Sequence, residues 1–452
     1  MKRLPPGLSF EGPAHPVADV RFLGDLTWVD AQDTRHTEQQ IFDEVFRLVQ
    51  GAHQYVVLDL FLYNSFQGRE PERTRALSSE LTRQLLQKRK SQPDVPIVLI
   101  TDPINTVYGG IRSAEFEALQ DAGIQVVITD LNCLPDSNPC YSVPWRLLLK
   151  PFGTGPGRLM PNPFGKGRVS LRSWLCMLNF KANHRKVIIA DDSGIPVGLV
   201  TSANPHDGSS AHRNVALRFT GPAVLDLLQT EIAVLALSGV DVALPCLKPP
   251  SCDQQTVNQH IRILTEGKIK EAVLAALAQN EAGGSVDLLM FYLSDREVID
   301  ALQAAHQRGV KLRILLDPNK DAFGWRKNGI PNRPVAHELV QQGIAVRWCD
   351  THGEQCHAKM LLTRYPGDRA SLICGSANLT RRNLDDLNLE TNVELLGTIH
   401  STAIHDAGLF FEQMWRNDAD RLFSVDYPMY RDTALWKRLL YRLQEASGMG
   451  TF

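Results

Sequence analysis

Asn183-His184-Arg185-Lys186-Val187-Ile188-Ile189-Ala190-Asp191 is the stretch that decides the fold. His184 and Lys186 stand two apart and run into apolar residues. Alternate residues of a strand share a face, so both side chains project the same way. The pattern returns at Cys356-His357-Ala358-Lys359-Met360-Leu361-Leu362. Each copy precedes a small polar turn, Thr201-Ser202-Ala203-Asn204 and then Gly375-Ser376-Ala377-Asn378. Two strands and two turns of one kind imply two half-sites.

The residues around each copy repeat as well. Val20-Arg21-Phe22-Leu23, a helix opening at Thr37-Glu38, the apolar run Tyr55 to Tyr63, a strand ending at Asp102-Pro103 and a helix stopped by Gly123 follow one another. The same order recurs at Ile261 to Leu264, Thr265-Glu266, Leu288 to Leu293, Asp317-Pro318 and Gly343. Strand-helix-strand alternation predicts two tandem α/β lobes, each a mixed, mostly parallel sheet flanked by helices, with a pseudo-twofold active site between them. A chain of 452 residues exceeds what one core normally serves, which agrees with two lobes. The expected boundaries are 1–247 and 254–452, joined near Pro249-Pro250-Ser251.

The lobes differ by an insertion in the first, about 132–179. A long stretch without an evident period is often functional. Between Ser137 and Asn183 there is no Asp or Glu, while Lys150, Lys166, Arg168 and Arg172 alternate with Trp145, Phe152 and Trp174. Cations among aromatics suit an anionic membrane surface. They also suit a single-stranded nucleic acid, and a solvated loop with a few core anchors has the same composition.

Net charge is -2, so no global pull on nucleic acid or membrane is expected. The eight cysteines include no Cys-x-x-Cys pair, which favours reduced thiols over a disulfide framework. No apolar run follows Lys2-Arg3, so no secretory signal is read there. Ala223 to Leu244 is interrupted by four charged or amide residues and predicts an amphipathic core helix.

Two facing imidazoles can divide labour: one attacks as nucleophile, the other protonates the leaving group and then activates the acceptor. Lys186, Lys359, Asn204 and Asn378 would stabilise an anionic centre. Such a set needs no metal and no cofactor, and its natural substrate is a phosphodiester.

These residues resemble the phospholipase D superfamily, whose His-x-Lys-(x)4-Asp motif and following Ser-Ala-Asn turn they match. Within it the chain is most similar to cardiolipin synthases and related bacterial phosphatidyltransferases. The resemblance implies a metal-free reaction through a phosphohistidine, with His184, Lys186 and Asn204 as one half-site and His357, Lys359 and Asn378 as the other. It makes Ser202, Ser376 and Asp191 supporting residues and Glu390 the carboxylate that orients a histidine from the opposite lobe. In the first lobe Arg213-Asn214 stands where relatives often carry Asp, so His184 is expected to be the nucleophile. Arg364 stands where the second motif should have Asp. The implied activity is phosphatidyl transfer. Hydrolysis to phosphatidic acid and cleavage of nucleic acid are the alternatives. The expected partner is an anionic phospholipid membrane, met peripherally from the cytoplasm.

Three smaller features remain. Cys349, His352, Cys356 and His357 are close in sequence but match no standard zinc spacing. His206, Asp207 and His212 follow the first turn, where they could touch substrate or simply build a polar loop. Tyr427, Tyr430, Trp436, Leu439, Leu440 and Leu443 form an apolar face beside Lys437, Arg438 and Arg442, expected to pack on the second lobe.

Overall fold

β-branched and aliphatic runs become strands wherever both faces find apolar cover. The computed structural model describes residues 4–68, 74–242, 258–322, 325–418, 420–450 and 452. The expected join between lobes lies outside them.

The first half runs β1 (His15–Pro16), β2 (Val20–Val29), β3 (Arg35–Glu38), α1 (Ile41–Gly51), β4 (Val56–Leu60), α2 (Leu77–Ser91), β5 (Ile97–Thr101), α3 (Ala114–Asp121) and β6 (Gln125–Ile128). The insertion follows, with α4 (Pro139–Leu148), β7 (Met160–Pro161), β8 (Arg168–Val169) and α5 (Leu171–Cys176). Then come β9 (Lys186–Asp192), β10 (Ile195–Thr201), β11 (Asn214–Thr220) and α6 (Ala223–Leu237). The second half runs β12 (His260–Thr265), α7 (Gly267–Ala278), β13 (Ser285–Met290), α8 (Arg296–Gln307) and β14 (Lys311–Leu316). A small ribbon, β15 (Asp321–Ala322) and β16 (Trp325–Arg326), precedes α9 (Asn332–Gln341), β17 (Ala345–Cys349), β18 (Lys359–Arg364) and β19 (Arg369–Gly375). α10 (Arg381–Leu384), β20 (Thr391–Thr398), α11 (Thr402–Arg416), β21 (Ser424–Asp426) and α12 (Leu435–Ser447) complete it.

The duplication is visible in strand order. One sheet is β3-β2-β11-β10-β9-β4-β5-β6 and the other β1-β12-β20-β19-β18-β13-β14-β17-β21. Both are mixed, but the expected parallel majority is corrected. Only β4-β5-β6 and β13-β14-β17 pair in parallel, and the remaining pairs are antiparallel. The tight turns after each His-x-Lys strand return the chain at once, and a short return can only make an antiparallel neighbour.

The two sheets face each other. Val187 and Ile189 of β9 share one core with Met360 and Leu362 of β18, while Ile188 and Ala190 pack among α1 and α2. The period of two in the motif strands thus decides which side meets helices and which meets the other half. β1, from the start of the chain, adds to the second sheet by pairing with β12.

Three local expectations are corrected. Thr37 and Glu38 lie in β3, and α1 starts at Ile41, its first amides bonded instead to the Asp25 carboxylate. Thr265 ends β12, and Gly267 N–H at the start of α7 is held by Asp386. The insertion is built of short elements, in which Ser170 caps α5. α6 ends at Leu237, and its Glu231 is buried with Arg185 at 3.1 Å, burial pushing the carboxyl well above its usual range. No described helix is long and apolar enough to cross a membrane.

Candidate active site

The motif strands bring their first residues to the seam between the sheets. There the segment before His184 pairs with the segment before Glu390: His184 N–H donates to Leu389 O and Leu389 N–H to Ala182 O. Symmetrically, Arg213 N–H donates to Gln355 O beside His357. This exchange carries each histidine to a side chain of the opposite half. His184 Nδ1 lies 2.9–3.0 Å from the two oxygens of Glu390. His357 Nδ1 lies 3.0 Å from Ser202 O and 3.2 Å from Asn214 Oδ1.

The supporting residues act on these partners. Ser376 Oγ and Asn383 Nδ2 both donate to Glu390, so the carboxylate is fixed from behind. Ser202 Oγ donates to Asn214 Oδ1 at 3.0 Å. Lys186 and Lys359 each donate to the carbonyl of the histidine two residues earlier, at 2.6 Å. Asp191 gathers the amides of His53, Gln54, Tyr55 and Gly194 at the far end of β9. Arg364, at the matching end of β18, is held by Asp287 at 2.6 Å. An ion pair thus ties down the second strand where amide capture ties down the first.

A cavity of about 400 Å³ contains His184, His357, Asn204 and Asn378. Its wall is mainly apolar, with Phe61 and Phe291 from the two halves, Phe164 and Met177 from the insertion and Phe180 just after it. Phe61 and Phe291 were not read as site residues. Phe61 meets the His184 ring edge-on at 4.7 Å and underlies Lys186, and Phe291 stands in the same relation to His357 and Lys359. Their equivalent places after β4 and β13 were the available signal. Asp102 and Asp317 were also missed, although both Asp-Pro pairs are evident in the repeat. Their carboxylates accept from Asn183 N–H and Cys356 N–H, fixing the backbone just ahead of each histidine. Burial pushes them up, Asp102 to about 7 and Asp317 to about 6.

Burial dominates the electrostatics. It pushes His184 down to about 4, against the pull of Glu390, and His357 well below the usual imidazole range with help from Lys359. It lowers Lys186 to about 7 and Lys359 well below an ordinary amine. Burial also works to raise Glu390, but His184 and the hydrogen bonds to it hold the carboxyl below its usual value. An ionised carboxylate only accepts, so the proton of neutral His184 sits on Nδ1 and Nε2 keeps its lone pair. The same tautomer follows for His357 from two oxygen acceptors.

Other candidates lie elsewhere. Asp207 accepts from Ser78 at the start of α2, and His206 Nδ1 bonds Ser209 Oγ, so both build the loop. The His212 ring lies 5.8 Å from that of His357, outside the cavity wall. Cys349 and Cys356 are joined as a disulfide, which corrects the expectation of reduced thiols for this pair. His352 meets Asp350, so the four residues do not converge on a metal. In the insertion, Phe152, Lys150, Lys166, Arg168 and Arg172 are exposed, whereas Trp145 and Trp174 are half-buried.

Fold and site together define a duplicated α/β protein with one two-histidine centre at its pseudo-twofold seam. A family model described as a cardiolipin synthase, phospholipase D-like domain matches residues 273–415. Cardiolipin synthase B of Shigella flexneri and of Escherichia coli K12 are each 25% identical over 288 residues, which cover 59% of this chain. The match spans 62% of the length of these relatives. The crystal structure of phosphatidylserine synthase from Haemophilus influenzae superposes with a TM-score of 0.59 at 10% identity, covering 97% of this chain and 96% of that one. Residues 273–415 thus resemble the phospholipase D-like domain of cardiolipin synthases, and the chain as a whole shares the fold of the phosphatidylserine synthase structure.

Proposed function

We propose that the protein transfers a phosphatidyl group from one phospholipid to an alcohol, with phosphatidylglycerol as donor and acceptor and cardiolipin as product. The observation that carries this reading is that His184 and His357 line one cavity, with an ionised carboxylate behind His184 and neutral oxygens behind His357.

In the first step His184 Nε2 attacks phosphorus. The P–N bond forms, the P–O bond to the glycerol breaks, and His357, neutral in the empty site, takes up a proton from solvent as the phosphodiester anion enters and gives it to the leaving oxygen. The ring bonded to phosphorus is cationic, and Glu390 stabilises it. Asn214 offers His357 only a neutral acceptor, which suits a group that must release its proton. In the second step His357 removes a proton from the acceptor hydroxyl, that oxygen attacks phosphorus, and the P–N bond breaks. Lys186 and Lys359, kept from full protonation by burial, become charged as the phosphodiester enters and then counter its equatorial oxygens. The apolar wall supports a lipid and slows water as a competing acceptor.

The test is product analysis by mass spectrometry after incubation with phosphatidylglycerol vesicles and, separately, single-stranded DNA. Cardiolipin is expected. Phosphatidic acid without cardiolipin would make the protein a hydrolase, and cut DNA with intact lipid would remove the lipid reading altogether.

A further inference from the structure

Helix α12 carries its apolar face outward. At 100° per residue, Leu435, Trp436, Leu439 and Leu443 fall within one arc of the helix. These four are between 58% and 73% exposed. The inward side holds to the lobe largely by polar contacts. Arg296 Nη1 donates to the buried Tyr441 hydroxyl, and Glu445 accepts from Arg381 N–H. A surface helix normally does the reverse, burying its leucines and exposing its charges. The sequence-based expectation that this face packs on the second lobe holds for Tyr427, Tyr430 and Leu440 and is corrected for Trp436, Leu439 and Leu443.

Cations edge this arc. Arg438 and Arg442 stand 3.6 and 3.4 Å from Glu338, which Arg296 already contacts at 2.7 Å. Arg296 also meets Asp300 at 2.9 Å, so three guanidiniums about two carboxylates leave a surplus of one positive charge. The insertion presents a second patch of the same kind. Leu147, Leu148, Phe152 and Leu159 are between 61% and 72% exposed. Exposed Lys150, Lys166 and Arg172 accompany them in a stretch without Asp or Glu.

The two patches are fixed to one another. Gly448 ends α12 in the left-handed region at φ 73, and a Cβ there would fall 1.6 Å from Ser137 O, just ahead of α4. Arg382 donates to Gly448 O and lies over the Phe180 ring at 4.9 Å. Phe180, Arg382 and Tyr292 also wall the active-site cavity. The cavity therefore lies beside the junction of the two segments that carry these patches.

We propose that α12 and the insertion form one docking surface for a bilayer containing anionic phospholipid. The leucines and aromatics enter the interface, and the guanidiniums and lysines lie among the phosphates. A second copy of the chain fits this face less well, because a twofold contact would set surplus cations against surplus cations. The proposal rests on the surface and not on the transfer chemistry.

The test is flotation of the full chain with vesicles of phosphatidylcholine, with and without phosphatidylglycerol. Leu439→Glu together with Leu443→Glu should weaken partition onto the anionic vesicles more than tenfold while leaving the thermal midpoint unchanged. His357→Ala should float as the wild type does, so failed transfer and failed docking are told apart. Wild-type flotation that is equal on both vesicles would overturn the proposal, as would a double variant that floats normally. So would a wild-type dimer in sedimentation that the double variant turns into monomer.

Discussion

Neutralising Glu390 separates the two histidines most cleanly. Glu390→Gln keeps the size of the side chain and its reach to Asn383, and the Ser376 hydroxyl can rotate to receive an amide. What is lost is a full charge about 3 Å from the His184 ring, in a contact whose side chains are 11% and 0% exposed. Two unit charges about 4 Å apart interact by about 4 kcal/mol at an effective dielectric of about 20. A neutral hydrogen bond recovers about half of that. The cationic intermediate should therefore lose about 2–4 kcal/mol, or about 30- to 1,000-fold in kcat/KM. The acid limb of the pH profile supplies a second readout. Wild-type activity should fall as pH drops through about 4, where His184 takes up a proton. Glu390 raises that pKa, so its removal must move the limb lower. A thermal melt checks that the fold survives. A plateau within about threefold of wild type, or a limb that moves upward, would refute the assignment of Glu390 as the support of a cationic His184.

Anion binding should be linked to proton uptake. Lys186 titrates near 7 in the empty site and should titrate higher beside an anion, so the complex binds more protons than the free protein. Sulfate, which does not itself titrate there, should bind more weakly as pH rises above about 7, as measured by calorimetry; pH-independent affinity would contradict the account. Arg364→Asp, although it restores the family residue, should place two carboxylates together at Asp287. It should cost about 1–3 kcal/mol of stability by denaturant titration without raising turnover; higher turnover at unchanged stability would show that Arg364 impairs the second half-site.

Much of this arrangement was legible because the chain contains its own alignment. The two His-x-Lys copies predicted two half-sites, and the equivalent Asp-Pro pairs and apolar runs predicted that the second half repeats the order of elements of the first. What failed was whatever depends on partners distant in sequence. Thr37 has the chemistry of a helix cap, but β2 brings Asp25 to α1 first. The insertion has no period because its elements are short and rest on loop contacts. Periodicity marks the apolar arc of α12 yet cannot say whether it turns inward, and here Tyr441 and Glu445 hold the opposite side. The Cys349–Cys356 bond links the end of β17 to the residue before His357 across seven residues, a spacing that no Cys-x-x-Cys pattern marks.

The central claim is a covalent step at His184, and peptide mass spectrometry tests it most directly. Protein mixed with phosphatidylglycerol vesicles would be quenched in alkali, which preserves a phosphorus–nitrogen bond, and then digested. The account predicts a phosphatidyl adduct, or the glycerophosphoryl group left when alkali removes its acyl esters, on the peptide containing His184 and absent from His184→Asn protein. An adduct on the His357 peptide, or continued turnover by the His184→Asn variant, would contradict it.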